Sequence, residues 1–139
     1  MRNFFFGIKN SGASTSLGAL LLRVGFGVLM IPQHGYAKLV GFSAYKDKFM
    51  DFLGLGSTIS LSLAIFAEFF CSILLVFGLF TRLATIPLLT TMLIAMGVHN
   101  WAFFGEYELA TAYFIAYAAI LWIGPGNYSI DYLLFKRKR

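Results

Sequence analysis

One stretch of the chain, Ser57–Phe80, is long, almost wholly apolar and carries a single acid, Glu68, near its middle. As an α-helix rising about 1.5 Å per residue, it is long enough to cross a hydrocarbon core of roughly 30 Å. A charged acid at mid-bilayer is costly when it has no partner. We therefore expect Glu68 to face the interior of a helical bundle and to find a partner or a proton there.

The composition predicts a membrane protein. Hydrophobic residues make up 59% of the 139 residues and charged residues 12%, whereas soluble domains carry about 25% charged residues. The net charge of +5 does not indicate nucleic-acid binding, because four of the eleven Lys and Arg residues simply close the chain as Lys136–Arg139 and no zinc-finger spacing accompanies them. The single cysteine, Cys71, excludes an internal disulfide and a CxxC redox pair.

Three further apolar segments, at about 17–39, 82–104 and 108–124, are long enough to span the membrane. Pro32 lies in the first of them and lacks a backbone donor, which predicts a kink or a break in that helix. With the Ser57–Phe80 segment this makes four spans in a chain that has no room for a separate soluble domain. The whole chain is therefore expected to form a single transmembrane domain.

The connection between the first two spans, at 40–56, has an amphipathic pattern. Its apolar residues recur at spacings of three and four, at Phe42, Tyr45, Phe49, Phe52 and Leu53. This pattern predicts a helix of two to three turns lying in the membrane interface. The predicted fold is thus an all-α membrane protein, an antiparallel four-helix transmembrane bundle with a short interfacial amphipathic helix in the first loop.

The positive charges predict the orientation of the bundle. An even number of spans places both termini on one side, and that side would hold seven Lys and Arg residues, including the basic tail at 133–139. The other side would hold three, Lys38, Lys46 and Lys48. The positive-inside rule therefore predicts that both termini are cytoplasmic.

A second ionisable residue, Arg23, lies inside the first span, about six residues from its predicted start. Glu68 lies about twelve residues from the corresponding end of its own span, so the two differ in depth by roughly 9 Å. Because an arginine side chain covers much of that distance, an Arg23–Glu68 pair is feasible, directly or through water. Such a pair either has a function or only holds the helices together.

Several other polar residues share the outer part of the predicted bundle: His34, Lys38, His99, Asn100 and Glu108. Together they would line an outward-facing pocket that suits an anionic or quinone-like headgroup, or they would form a hydrogen-bonded cap with no ligand. Two weaker alternatives are a haem held by His34 and His99 and a metal site completed by Glu108. The sequence contains no phosphate loop, nucleophile elbow or HExxH motif.

The order and spacing of these residues resemble the DoxX family of small bacterial membrane proteins, over about residues 17–132. The pattern comprises Arg23, His34-Gly35, Lys38, Glu68, Gly78-Leu79-Phe80-Thr81-Arg82, Met92, Ala95, His99, Glu108, Gly124-Pro125-Gly126, Ser129 and Asp131. The resemblance implies a four-helix protein of the bacterial inner membrane whose recurring polar positions are Arg23, His34, Lys38, Glu68, His99 and Glu108. It also implies a link to redox systems, since the family is named after its likeness to the membrane subunit of a thiosulfate:quinone oxidoreductase.

These observations leave more than one function open. The leading hypothesis is a redox-associated membrane subunit that binds a quinone or a similar small molecule in the outward pocket, with Arg23 and Glu68 as its floor, and that works with a membrane or periplasmic partner protein. The alternative is a non-catalytic assembly or scaffold protein whose buried polar residues are structural. A small transporter acting as a homo-oligomer is a third. The sequence decides neither the ligand nor whether the protein is an enzyme.

Overall fold

The computed structural model describes residues 12–98, 101 and 108–136, and these ranges contain helices and no strand. Four helices form the bundle. Helix α1 spans Ala13–Val40, α3 spans Ser57–Phe77, α4 spans Thr81–Val98 and α5 spans Glu108–Ile123. The described ranges also contain two short helices, α2 at Phe42–Tyr45 and α6 at Ile130–Phe135.

The lengths and compositions of these helices are those of a membrane bundle. Helices α1, α3 and α4 have 28, 21 and 18 residues and are apolar enough to cross a bilayer, and α5 is a shorter apolar helix of 16 residues. Large apolar side chains cover the outside, such as Leu21 at 66% exposure and Trp122 at 84%. Such a surface is stable against lipid and not against water, so the predicted all-α multi-pass membrane fold is confirmed.

The interior is a continuous apolar core shared by all four long helices. Its fully buried members include Met30 of α1, Leu75 of α3, Leu88 of α4, and Tyr117 and Ile120 of α5. In lipid, close packing of such side chains replaces the hydrophobic effect as the main force between helices. This core fixes the relative positions of the polar side chains embedded in it.

The bundle has two distinct ends. We call one the tail end, formed by the start of α1, the turn Gly78–Phe80 and the C-terminal segment 124–136. Here Gly126 packs against Ser16, and the amide of Asp131 donates to the carbonyl of Gly78 at 2.9 Å. We call the opposite end, which holds the end of α1, the first loop and the start of α5, the loop end. Successive long helices run in alternate directions between them.

Helix α1 is not broken at Pro32. It continues to Val40 through a six-residue π-helical segment, Ile31–Tyr36, that begins beside the proline. A π segment shifts the hydrogen-bond pattern to i→i+5, so a helix containing a residue without a donor can remain continuous. Helix α3 contains a second six-residue π segment, Phe66–Cys71, which sequence analysis did not predict.

The first loop is less helical than predicted. Only the four residues of α2 form a helix, so the expectation of two to three helical turns is wrong. Local side-chain bonds to the backbone replace the helix beyond it: Asp51 accepts from the amide of Gly56 at 2.8 Å, and Ser60 accepts from the amide of Phe52 at 2.9 Å. Such bonds compete with helical hydrogen bonds.

Candidate functional site

Glu68 forms a half-buried ion pair. It lies in the π segment of α3 and is 2% exposed, and its carboxylate accepts a hydrogen bond from the ammonium of Lys38 near the end of α1. The side chain of Lys38 is 25% exposed, against 3% for that of Glu68. The pair therefore joins the interior of the bundle to its accessible edge near the loop end, and it supplies the partner that a buried acid requires.

Gly35 allows α1 to approach Glu68 closely. A Cβ added at Gly35 would lie 2.6 Å from the carbonyl oxygen of Glu68 and 2.7 Å from the Cα of Phe69. These distances are too short for any side chain, so the two helices touch through their backbones. Because Gly35 and Glu68 both belong to π segments, the two irregular stretches of the bundle meet at this point. Such segments occur frequently at functional sites.

His34 is half-buried beside the ion pair. The edge of its ring faces Tyr113 of α5, with the two ring centroids 5.9 Å apart and the planes at 81°. The charges of Glu68 and Lys38 act on His34 electrostatically. We call His34, Lys38, Glu68, Tyr113 and Tyr117 the buried polar cluster. It brings together three of the residues that the sequence singled out.

The two tyrosines of this cluster were not predicted. They lie one turn apart on α5 with ring centroids 5.8 Å apart. The hydroxyls of Tyr117 and of Ser72, which follows Glu68 by one turn of α3, are both buried, and the two groups lie near each other. Their spacing in the sequence could have revealed these residues. Tyr113 with Tyr117 and Glu68 with Ser72 are each four residues apart, which places polar groups on one face of each helix.

Arg23 belongs to a different site, and the predicted Arg23–Glu68 pair is wrong. The fully buried guanidinium donates to the carbonyls of Leu75 at 3.2 Å and Val76 at 3.4 Å, and to that of Tyr128 at 2.6 Å. Leu75 and Val76 lie in the last turn of α3, where carbonyl oxygens can accept further hydrogen bonds and the helix dipole attracts a cation. Arg23 therefore stabilises the tail end of the bundle, away from the buried polar cluster.

Asp131 has the complementary role and was not assigned one from the sequence. Its carboxylate, 2% exposed, accepts from the amides of Phe80 at 2.7 Å and Thr81 at 2.8 Å. These amides begin α4, where an acid satisfies unpaired donors and complements the dipole. Arg82 binds the end of α5 as Arg23 binds the end of α3: its guanidinium donates to the carbonyl of Trp122 at 3.5 Å. The tail end is thus a network of charged helix caps.

Two predicted site residues remain, Glu108 and His99. Glu108 is the first residue of α5 and is exposed, and His99 lies outside the described residues. Within the described ranges, no group of three or more His, Cys, Asp and Glu side chains is arranged to hold a metal ion.

An antiparallel bundle of apolar helices with charged groups sealed inside defines a multi-pass integral membrane protein. The family model DoxX matches residues 18–101, which is more than half of the chain, and the protein therefore belongs to the DoxX family. The matched segment contains Arg23, His34, Lys38 and Glu68 and ends before α5. No curated protein and no solved structure matched the chain.

Proposed function

We propose that this DoxX protein is a membrane subunit of a redox system and binds a quinone or a similar small molecule at the buried polar cluster. The observation that carries the proposal is the Lys38–Glu68 pair, which is closed on the Glu68 side and accessible on the Lys38 side. An ion pair placed within an apolar bundle is costly to keep. Apolar contacts are sufficient to pack the helices, so the presence of the ion pair supports a role in binding.

The donors of the cluster suit a carbonyl-bearing ligand. An ammonium has three donors, and the described hydrogen bonds of Lys38 use one of them, to Glu68. Lys38 can therefore donate to a ligand oxygen while Glu68 holds it in place. His34 and Tyr113 supply a further polar edge and an aromatic wall next to it, and small-molecule sites commonly combine apolar walls with a few directed polar groups.

The proposal includes a location. Four Lys and Arg residues follow α6 directly in the sequence, at 136–139. This favours both termini in the cytoplasm of a bacterium and the buried polar cluster in the outer half of the inner membrane. From there the bound molecule would be accessible to a membrane or periplasmic redox partner. His99 and Glu108 are proposed to line the approach to the cluster from the loop end.

The test is an inventory of small molecules that stay bound when the protein is purified gently from its own membrane. We expect extraction followed by mass spectrometry to find a quinone in wild type and to find it lost in Lys38→Met and His34→Phe. The matched control is Lys46→Met, an exposed lysine of the first loop, which should keep the quinone. Equal quinone content in all variants, or none in wild type, would overturn the proposal.

The alternative is a non-catalytic assembly protein, and the tail end favours it in part. There the buried charges of Arg23 and Asp131 bind backbone groups of other helices, which is a structural task. If the whole molecule works this way, affinity purification recovers the same partner protein with wild type and with Lys38→Met, and no small molecule comes with either.

A further inference from the structure

We propose that the tail end of the bundle is a binding site for an anionic phospholipid. One acyl chain would lie in an apolar groove between α3 and α4, and the headgroup would lie against Lys136 and the cations that follow it in the sequence. The inference is independent of the ligand at the buried polar cluster, because it uses a different face and different residues.

The groove has the character of a site for a hydrocarbon chain. It encloses about 330 Å³, and its walls include Phe66 and Leu74 of α3, Leu83 and Pro87 of α4, and Phe80 of the turn between them. Phe66 is 50% exposed and Leu83 is 52% exposed, so the groove opens on the lipid-facing surface. Its lining is almost wholly apolar, which excludes a headgroup and suits an acyl chain.

The position of the groove matches one leaflet of a bilayer. Phe66 lies about eleven residues before the end of α3 at Phe77, which is roughly 16 Å along the helix. Half of a hydrocarbon core of roughly 30 Å is about the same length. A chain in this groove would therefore run from the tail end to the middle of the membrane, as a chain of a single leaflet does.

The tail-end opening of the groove adjoins the end of α6. The ring of Phe80, in the groove, lies 6.5 Å from that of Phe135, the last residue of α6. Leu133 and Leu134 of α6 are 77% and 61% exposed, so the outer side of this helix extends the lipid-facing surface. An apolar helix face in this position lies in the interface, at the level of lipid headgroups.

The charges at this end are complementary to an anionic headgroup. Lys136 follows Phe135 directly, with its ammonium 4.8 Å from the ring of Tyr132, and Arg137, Lys138 and Arg139 come next in the sequence. The acid of α6, Asp131, is turned inward to the amides that begin α4. The sequence therefore has a run of four cations directly after α6, and basic runs next to the membrane segments of a protein attract anionic lipids. An apolar groove near Lys136 favours a lipid over a soluble anion.

The experiment uses native mass spectrometry of the full-length protein released from nanodiscs of equal parts phosphatidylglycerol and phosphatidylcholine with identical chains. Wild type should retain phosphatidylglycerol in preference to phosphatidylcholine. The preference should fall at least about fivefold when Lys136, Arg137, Lys138 and Arg139 are all changed to Gln. A Lys46→Gln, Lys48→Gln double variant of the first loop controls for the loss of charge and should keep the preference.

The groove is tested separately. Leu83→Trp fills it, and we expect the number of retained lipids to fall, whereas Leu63→Trp, an equally exposed position of α3 at 49% that does not line the groove, should have no effect. The proposal is overturned if the four-Gln variant keeps its preference, if Leu83→Trp retains as much lipid as Leu63→Trp, or if inorganic phosphate displaces the bound lipid. Quinone measured in the same spectra reports on the buried polar cluster, so failure of one proposal is distinguishable from failure of the other.

Discussion

Gly35 of α1 lies against the backbone of Glu68 in α3, so closely that a Cβ on Gly35 would come within 2.6 Å of the Glu68 carbonyl oxygen. The contact joins the two π segments of the bundle and places the side chain of Lys38, one turn beyond Gly35, within reach of the Glu68 carboxylate. A glycine thus positions an ion pair in which it takes no part.

The first prediction concerns this contact. Gly35→Ala forces the backbones of α1 and α3 apart, because the atoms in the way belong to the main chain, and we expect a loss of about 1–3 kcal/mol in unfolding free energy. Gly25→Ala is the matched control, since an added Cβ there meets nothing within 4 Å and replacing a helix glycine gains about 0.5–1 kcal/mol. Denaturant unfolding in detergent measures both. Equal stability of the two variants would contradict the contact.

The second prediction is a double-mutant cycle on the ion pair. Removing Lys38 with Met leaves the carboxylate of Glu68 buried without its cation, and breaking such a pair typically costs about 3–5 kcal/mol. Glu68→Gln should cost less, because Lys38 is partly exposed and can direct its charge outward. The cycle itself uses Lys38→Met, Glu68→Met and the double variant. The loss of unfolding free energy in the double variant should be smaller than the sum of the two single losses, by at least about 1 kcal/mol. Additive losses would mean that the two residues do not interact.

The third prediction concerns the cap of α4. Asp131→Ala removes the carboxylate that accepts from the part-buried amide of Phe80 and the buried amide of Thr81, and the unfolding free energy should fall by about 2–4 kcal/mol. Asp131→Asn retains one acceptor oxygen and should lose about half as much. Asp47→Ala, at an exposed acid of the first loop, is the control and should be neutral. If Asp131→Ala unfolds like the control, the cap does not stabilise the bundle.

The fourth prediction separates Arg23 from the ligand. Arg23→Lys keeps the charge but loses the planar fork that reaches both α3 and Tyr128, so stability should fall by about 1–3 kcal/mol. The quinone content of the purified protein should not change, because Arg23 lies outside the buried polar cluster. Loss of quinone from a stably folded Arg23→Lys protein would mean that Arg23 contributes to the binding site after all.

Sequence reasoning predicted the membrane helices because long apolar runs have few alternatives in a chain of this length. It also predicted that Glu68 needs an interior partner, since the free-energy penalty of a bare charge depends little on structural detail. It chose the wrong partner. Helical depth alone does not show that the end of α3 offers carbonyls that hold Arg23, nor that the long side chain of Lys38 extends back along its helix to Glu68.

The π segments, helix α6 and the structure of the first loop could not be predicted from the sequence, each for a physical reason. A π segment shifts the phase of the apolar pattern, but Ile31–Tyr36 and Phe66–Cys71 have only six residues each and lie in runs that are apolar on every side, so the shift does not stand out in the sequence. Helix α6 has six residues, too few for periodicity to stand out, and the role of Asp131 arises only when that helix packs under the turn before α4. In the first loop the apolar residues have helical spacing, but backbone amides there donate to the side chains of Asp51 and Ser60 instead of to helical carbonyls.

The most direct test of a ligand at the buried polar cluster is photocrosslinking with a quinone that carries a photoreactive group on its ring, in native membranes, followed by peptide mapping. The account predicts crosslinks concentrated in three stretches, at 31–40, 66–72 and 113–117, that disappear in Lys38→Met and persist in Lys46→Met. Crosslinks spread over lipid-facing positions such as Leu21 and Trp122, and unchanged in Lys38→Met, would contradict it.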